Sequence, residues 1–149
     1  MFSLDEKIAA RTALTADDRA RILELLAEWQ LLSDLSFADL ILWIPKRRDY
    51  KSWPDGHIAM AHIRPTTAAT VFAYDVIGDE INWGTNPRID SSLSTGEIDR
   101  DSDAELVGEI LIKEETIPVF FGGRVIAVIS RHRNADLMRS PSRLELNYR

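Results

Sequence analysis

The side chains best suited to chemistry in this chain are its three histidines, since it contains no cysteine. Zinc proteases carry two histidines four residues apart on a helix, with a glutamate beside the first. His57 and His62 instead lie five residues apart in a segment predicted to be a strand, and that spacing places them on opposite faces. His132 ends a later predicted strand. We therefore expect no metal site, and we expect His62 to be a partly buried, hydrogen-bonded residue.

The other polar motifs fall short of a known catalytic or metal site. Asp99, Asp101 and Asp103 alternate as in a calcium-binding loop, but Ala104 and Ile110 stand where that loop needs glycine and glutamate. The sequence has no serine in a nucleophile elbow, no phosphate-binding P-loop and no dinucleotide fingerprint. The lack of cysteine also excludes thiolate catalysis and disulfides. We expect no catalytic activity within this chain.

One segment combines basic and aromatic residues, a composition that can bind single-stranded nucleic acid. Against this, the chain has 18 basic and 24 acidic residues and a net charge of −6. That balance favours a solvated hairpin tip and predicts no direct nucleic-acid partner. The residues of the segment are Lys46, Arg47, Arg48, Tyr50, Lys51 and Trp53.

The length and hydropathy pattern favour a single folded domain that does not enter a membrane. The chain has 149 residues, of which 45% are hydrophobic. Its first residues lack the basic start and apolar run of a signal peptide. The longest apolar runs, 40–45 and 125–129, are too short to cross a bilayer. We expect the protein to be cytoplasmic.

The first half of the sequence predicts helix and then strands. Thr15, followed by Asp17 and Asp18, caps a helix that runs to about Leu32 with one apolar stripe. The apolar segment 39–44 predicts a buried strand. A turn at Asp55-Gly56 returns the chain into a second strand over 57–64.

The second half predicts a strong hairpin and a truncated helix. Strands at 114–121 and 124–132 flank Gly122-Gly123. Before them, 75–81 suggests a short helix, and 87–93 suggests a helical turn ended by Gly96. Pro141 begins a last helix that stops at residue 149 after barely two turns. We expect residues 1–14 to hold a short helix, 15–138 to form the domain, and 139–149 to begin a helix leading into a longer protein.

Several segments resemble one family closely. Ile117-Pro118-Val119 followed by Gly123–Ile129 resembles the final hairpin of GAF domains. Residues 28–40, EWQLLSDLSFADL, are similar to the N-terminal GAF sensor domain of actinobacterial PdtaS-like histidine kinases. The segments 61–67, 130–132 and 142–148 show the same similarity, so the resemblance extends over nearly the whole chain.

The resemblance implies an α+β GAF fold. A central antiparallel sheet would carry the N- and C-terminal helices on one face and a ligand pocket on the other. It also implies the sensor of a soluble two-component kinase, working as a homodimer, whose missing PAS-like and kinase regions bind ATP and phosphorylate a response regulator. By analogy with other GAF domains, the ligand would be a cyclic nucleotide or dinucleotide, and the sequence itself requires no cofactor.

A pocket for such a ligand would lie between the sheet and the loops of 66–86. Its candidate residues combine aromatic walls with a few polar groups, as small-molecule sites do, and Arg64 is suited to an anionic group. Two alternatives remain open: these side chains fill the core, or the domain is a ligand-free dimerisation and interaction module. The candidate residues are Trp43, Met60, His62, Arg64, Thr66, Thr67 and Tyr74.

Overall fold

A computed structural model describes residues 12–36, 38–47, 52–66, 70–72, 75–100, 104–107 and 110–135. These form an α+β fold, as predicted, with a six-stranded antiparallel sheet in the order β3-β2-β1-β6-β5-β4. The elements are α1 (Ala16–Ala27), α2 (Trp29–Ser36), β1 (Ala38–Lys46), β2 (Gly56–Ile63), β3 (Glu80–Asn82), α3 (Pro87–Thr95), β4 (Glu105–Val107), β5 (Ile110–Phe121) and β6 (Arg124–Asn134).

The N-terminal helix begins where the sequence predicts it. Thr15 and Asp18 form a reciprocal capping box, in which each side chain accepts from the other residue's backbone amide. Asp18 is buried and also accepts from the Arg124 guanidinium at 3.0 Å, which ties the helix to the β5–β6 hairpin. Glu28 ends α1, and α2 follows directly, so the predicted single helix is in fact two.

The sheet has a hydrophobic core on each face. On one face, α1 and α2 cover a large core that contains the fully buried Ile22 and Trp29. On the other face, Ile41, Trp43 and Val128 form a smaller core that α3 covers through Ile89. This second face is the one on which a GAF pocket was expected.

The prediction of a short helix at 75–81 is wrong. The segment turns at Ile77-Gly78 and then pairs as β3 with β2. Gly78 has φ of 93°, and its amide donates to the Ala59 carbonyl at 2.7 Å. A left-handed glycine ends a helix, and here the segment bonds to the edge of the sheet instead.

The predicted helical turn ended by Gly96 and the predicted final hairpin are both present. The α3 helix starts at Pro87 and ends at Gly96, whose φ is 72°. The hairpin over Gly122-Gly123 is confirmed, with strands that extend further than expected, to Ile110 and Asn134. The predicted helices at 1–14 and 139–149 lie essentially outside the described residues, and no described helix is long and apolar enough to cross a membrane.

Candidate functional site

A β-bulge decides which side chains reach the second face of the sheet. Leu42 pairs with Ala61 and Trp43 with Ala59, so Met60 has no partner on β1. The bulge reverses the alternation of β2 beyond this point. His57 and His62 consequently share one face, where they contact α3 and Phe72 respectively. Their expected placement on opposite faces is wrong for this reason.

Asp39 is the centre of a buried polar cluster on this face. One of its oxygens, Oδ2, accepts from His62 Nε2 at 2.8 Å and from the Thr70 hydroxyl at 2.5 Å. The other accepts from the Val71 amide at 3.0 Å. Burial alone would raise the pKa of Asp39, but the hydrogen bonds from His62, Thr70 and Val71 outweigh it and bring the pKa below its usual value. Asp39 therefore stays ionised and holds segment 70–72 against the sheet.

Arg64 closes the same cluster from the end of β2. Its Nη1 atom donates to Thr70 Oγ1 at 2.9 Å and to the Phe72 carbonyl at 2.6 Å. The guanidinium is thus bonded to the loop. His62 completes the cluster, and its Nδ1 atom lies 3.5 Å from the exposed Asp75 carboxylate.

A second chain of polar contacts runs from Trp43 to the edge of the face. The Trp43 indole donates to Ser130 Oγ at 2.8 Å, and His132 Nε2 lies 2.7 Å from the same oxygen. The Phe72 ring stands edge-on to both His62 and His132, with centroids 5.1 and 4.8 Å away. Burial lowers the pKa of His132 to about 4, and nearby His62 acts in the same direction. His132 is therefore neutral at physiological pH.

A cavity of about 340 Å³ opens beside His132, where the N-terminus of α3 meets β5. Its volume lies at the small end of the range for ligand pockets. It is lined by Thr85, Asn86, Pro87, Arg88, Glu105, Ile112, Glu114 and His132.

Glu114 is an acidic group of this cavity whose pKa is raised. Burial raises the pKa of its carboxyl, although the Asn86 amide, which donates at 3.0 Å, and the Arg88 guanidinium, 3.5 Å away, act in the opposite direction. His132 Nδ1 lies 3.6 Å from the same carboxylate. The cavity thus offers a ligand one cationic group, the Arg88 guanidinium, and carboxylate oxygens that accept hydrogen bonds. The two kinds of group lie a few ångströms apart.

The backbone at the start of α3 is already satisfied. The Asn86 side chain accepts from the amides of Arg88 and Ile89 at 3.1 and 3.3 Å. Farther along α3, Asp90 accepts from buried His57 at 2.8 Å and from the Gly84 amide at 2.8 Å. Burial lowers the pKa of His57, although the Asp90 contact opposes this. Side chains, rather than free helix amides, therefore provide the polar contacts of the cavity. The hydrogen bond between His57 and Asp90 fixes α3 to β2.

The five candidate residues that the structure describes fall into three groups. Trp43, His62 and Arg64 lie together on the second face, in the polar contacts beside the cavity rather than in its wall. Met60 lies on the opposite face, in the core under α1 and α2. Thr66 is exposed, and its amide donates to Asp34 at 2.7 Å.

Two of the candidates, Thr67 and Tyr74, lie outside the described residues. Among the residues that are described, no group of three histidine or acidic side chains could hold a metal ion. The wall residues Asn86, Arg88 and Glu114 were missed, and His132 was noted only as a strand end. No sequence signal pairs Glu114 with His132, because the register shift between Val119 and Phe120 sets that pairing.

Comparison with known proteins decides the family. A model of the family described as "Histidine kinase PdtaS, GAF domain" matches residues 4–149. The chain belongs to this family. The Sensor histidine kinase PdtaS of Mycolicibacterium smegmatis is 34% identical over 99% of the chain, and that of Mycobacterium tuberculosis is 31% identical over 100%.

This PdtaS GAF domain spans 29% of the length of those two kinases. A solved structure entitled "Sensor region of a sensor histidine kinase" superimposes with a TM-score of 0.68 and 28% identity. The superposition covers 89% of this chain and 43% of the solved chain. The chain is thus a sensor GAF domain of a histidine kinase family, and the fold inferred from the resemblance is confirmed.

Proposed function

We propose that this domain binds a small polar molecule in the cavity between α3 and β5 and passes the signal to a kinase region elsewhere in the protein. The observation that carries the proposal is the convergence of Arg88, Glu114 and His132 on one cavity, on the face opposite α1 and α2. Ligand sites combine a concave wall with a few fixed polar groups in this way. Trp43, His62 and Arg64 act as supports that hold the neighbouring segment 70–72.

The ligand carries an anionic group for Arg88 and N–H donors for the carboxylates. Arginine pairs with phosphate or carboxylate through its fork of donors. Glu114 and Glu105 accept hydrogen bonds from amines or ring N–H groups. A cyclic nucleotide has both features, and with about 340 Å³ available a mononucleotide fits better than a whole dinucleotide.

The relay runs along β6 and α3. A ligand shifts an equilibrium only if it binds two states unequally. His132 and Ser130 stand on β6, which leads into the C-terminal segment 139–149 that we assign to the connecting helix. In the full-length cytoplasmic kinase, ATP and the response regulator bind the regions outside this chain.

We expect the conservative variants Arg88→Gln and Glu114→Gln to weaken binding of the ligand about tenfold or more. Losing one charged hydrogen bond costs about 1.5–3 kcal/mol. The measurement is isothermal titration with a panel of cyclic mononucleotides and cyclic dinucleotides. Arg21→Gln, on the exposed face of α1, is the control and leaves affinity unchanged. Equal affinities for all three variants would place the ligand elsewhere.

An interaction module is the second candidate function, and one observation favours it. Leu31 and Leu35 on α2 are 61% and 70% exposed, and Leu32 beside them is 39% exposed. Exposed apolar side chains on one helix are typical of a subunit contact. In this reading, α2 pairs with the same helix of a second copy.

We expect Leu31→Glu with Leu35→Glu to convert a homodimer into monomers, because four charges would be buried at the contact. Sedimentation equilibrium on the isolated domain measures the change. Leu106→Glu, at a position 72% exposed on β4, is the matched control and leaves the dimer intact. A wild-type domain that is monomeric at every concentration rules out this contact.

A further inference from the structure

Two tryptophans meet at the far end of α3, away from the cavity. The indole rings of Trp53 and Trp83 stand edge to face, with centroids 4.9 Å apart and an angle of 67°. Trp53 is 68% exposed, although a side chain of this size is usually covered. The pair therefore presents a large aromatic surface to solvent.

The chain holds this pair in a fixed geometry. The Asp55 amide donates to the Lys46 carbonyl, and the Trp83 amide donates to the Asp55 carbonyl, each at 2.9 Å. The Trp83 ring also stacks on buried His57, with centroids 5.5 Å apart. A site whose groups are already ordered loses less entropy when it binds. The aromatic corner is therefore preorganised.

A hollow of about 160 Å³ lies in this corner. Its wall contains two rings, one guanidinium and two hydroxyls, and it shares no residue with the first cavity. It is lined by Arg47, Ser52, Trp53, Pro54, Trp83, Leu93 and Ser94.

The local charge is opposite to that of the protein. In the sequence, segment 46–55 carries four basic and two acidic residues, whereas the whole chain has a net charge of −6. Of these four basic residues, Arg47 lines the hollow, and Lys46 is paired with Glu80 at 3.0 Å. Tryptophan faces attract planar rings, and arginine binds anionic groups and stacks on rings. The hollow therefore combines a ring-binding wall with a cationic rim.

We infer that Trp53, Trp83 and Arg47 form a second ligand site, which binds a planar aromatic ring carrying an anionic group. This site goes beyond the proposed sensor function and does not depend on it. The ring packs against the two indoles, and the anionic group faces Arg47 at the rim. The two serines provide hydrogen-bond partners at its edge.

The four indole N–H signals of the domain test the inference, because Trp29 and Trp43 lie in the two cores and Trp53 and Trp83 in the hollow. The probe is naphthalene-2-sulfonate, titrated into ¹⁵N-labelled protein. We expect saturable shifts of the Trp53 and Trp83 signals only, with a dissociation constant of about 1 mM or tighter. Cyclohexanesulfonate, which has no aromatic ring, and 2-naphthylmethylammonium, which has no anionic group to pair with Arg47, bind at least about tenfold more weakly.

Two variants complete the test. Trp53→Ala removes the binding and leaves the Trp29 and Trp43 signals of the two cores in place, which shows that the fold is intact, whereas Trp53→Phe retains part of the affinity. Arg47→Gln weakens the sulfonate and leaves the ammonium probe unchanged. Shifts at Trp29 or Trp43 instead, equal affinity for the three probes, or sulfonate binding that survives Trp53→Ala would each overturn the inference.

Discussion

Replacing Asp39 with alanine lowers the free energy of unfolding by about 3–5 kcal/mol, because three hydrogen-bond donors around its buried carboxylate lose their acceptor. The variant leaves His62 Nε2, the Thr70 hydroxyl and the Val71 amide without their acceptor. Each buried polar group left unpaired costs about 1–3 kcal/mol. Urea denaturation followed by circular dichroism measures the loss.

The matched control is Asp34→Ala. Asp34 also accepts a backbone amide, from Thr66, and the Gln30 side chain, but it is solvated. Water replaces the lost bonds there, so the stability changes far less than in Asp39→Ala. Equal losses in the two variants would show that Asp39 does not organise the second face.

We expect the His132→Gln variant to lose about 3 kcal/mol less stability on acidification than the wild-type domain loses. The pKa of His132 is about 4 in the folded protein and 6.5 in the unfolded chain. As the pH falls below about 6.5, the unfolded chain binds this proton first, so stability decreases until the folded pKa is reached. Glutamine does not titrate, and it can still hydrogen-bond to Ser130.

The measurement is the unfolding free energy of both proteins at about pH 7 and about pH 4. The contribution of His132 to stability changes between these two pH values. All other titratable groups are present in both proteins, so the difference between the two profiles of unfolding free energy against pH isolates His132. Parallel profiles would mean that His132 is not desolvated beside the cavity.

Local signals in the sequence predict much of the fold. The cap at Thr15, the proline and glycine that bound α3 and the Gly122-Gly123 turn all specify their elements through short-range backbone chemistry. The family resemblance then supplies the arrangement of the sheet and the face that carries the pocket. Segment 75–81 was misjudged because its structure depends on pairing with β2, which is a long-range contact.

The site was harder to predict because two bulges change which residues face each other. Counting back from Gly122-Gly123 places Glu114 opposite Arg131. The bulge at Ile126 moves the partner to His132, and this shift creates the polar wall of the cavity. The bulge at Met60 likewise separates Met60 from the polar cluster and brings His62 into it. The bulge at Met60 has no adjacent glycine or proline to mark it in the sequence.

We propose that a small ligand binds the second face of this GAF domain, in the cavity between α3 and β5. A thermal-shift screen of the isolated domain against nucleotides and polar metabolites tests this proposal. We expect at least one compound to raise the melting temperature with increasing concentration, since a ligand at one hundred times its Kd adds about 2.7 kcal/mol of stability. At that concentration the same compound stabilises the Arg88→Gln variant by about 1.4 kcal/mol or less, because its Kd is about tenfold weaker or more. A stabilising ligand that shifts the melting temperatures of wild type and Arg88→Gln equally, or no stabilisation by any compound, would rule out this ligand site.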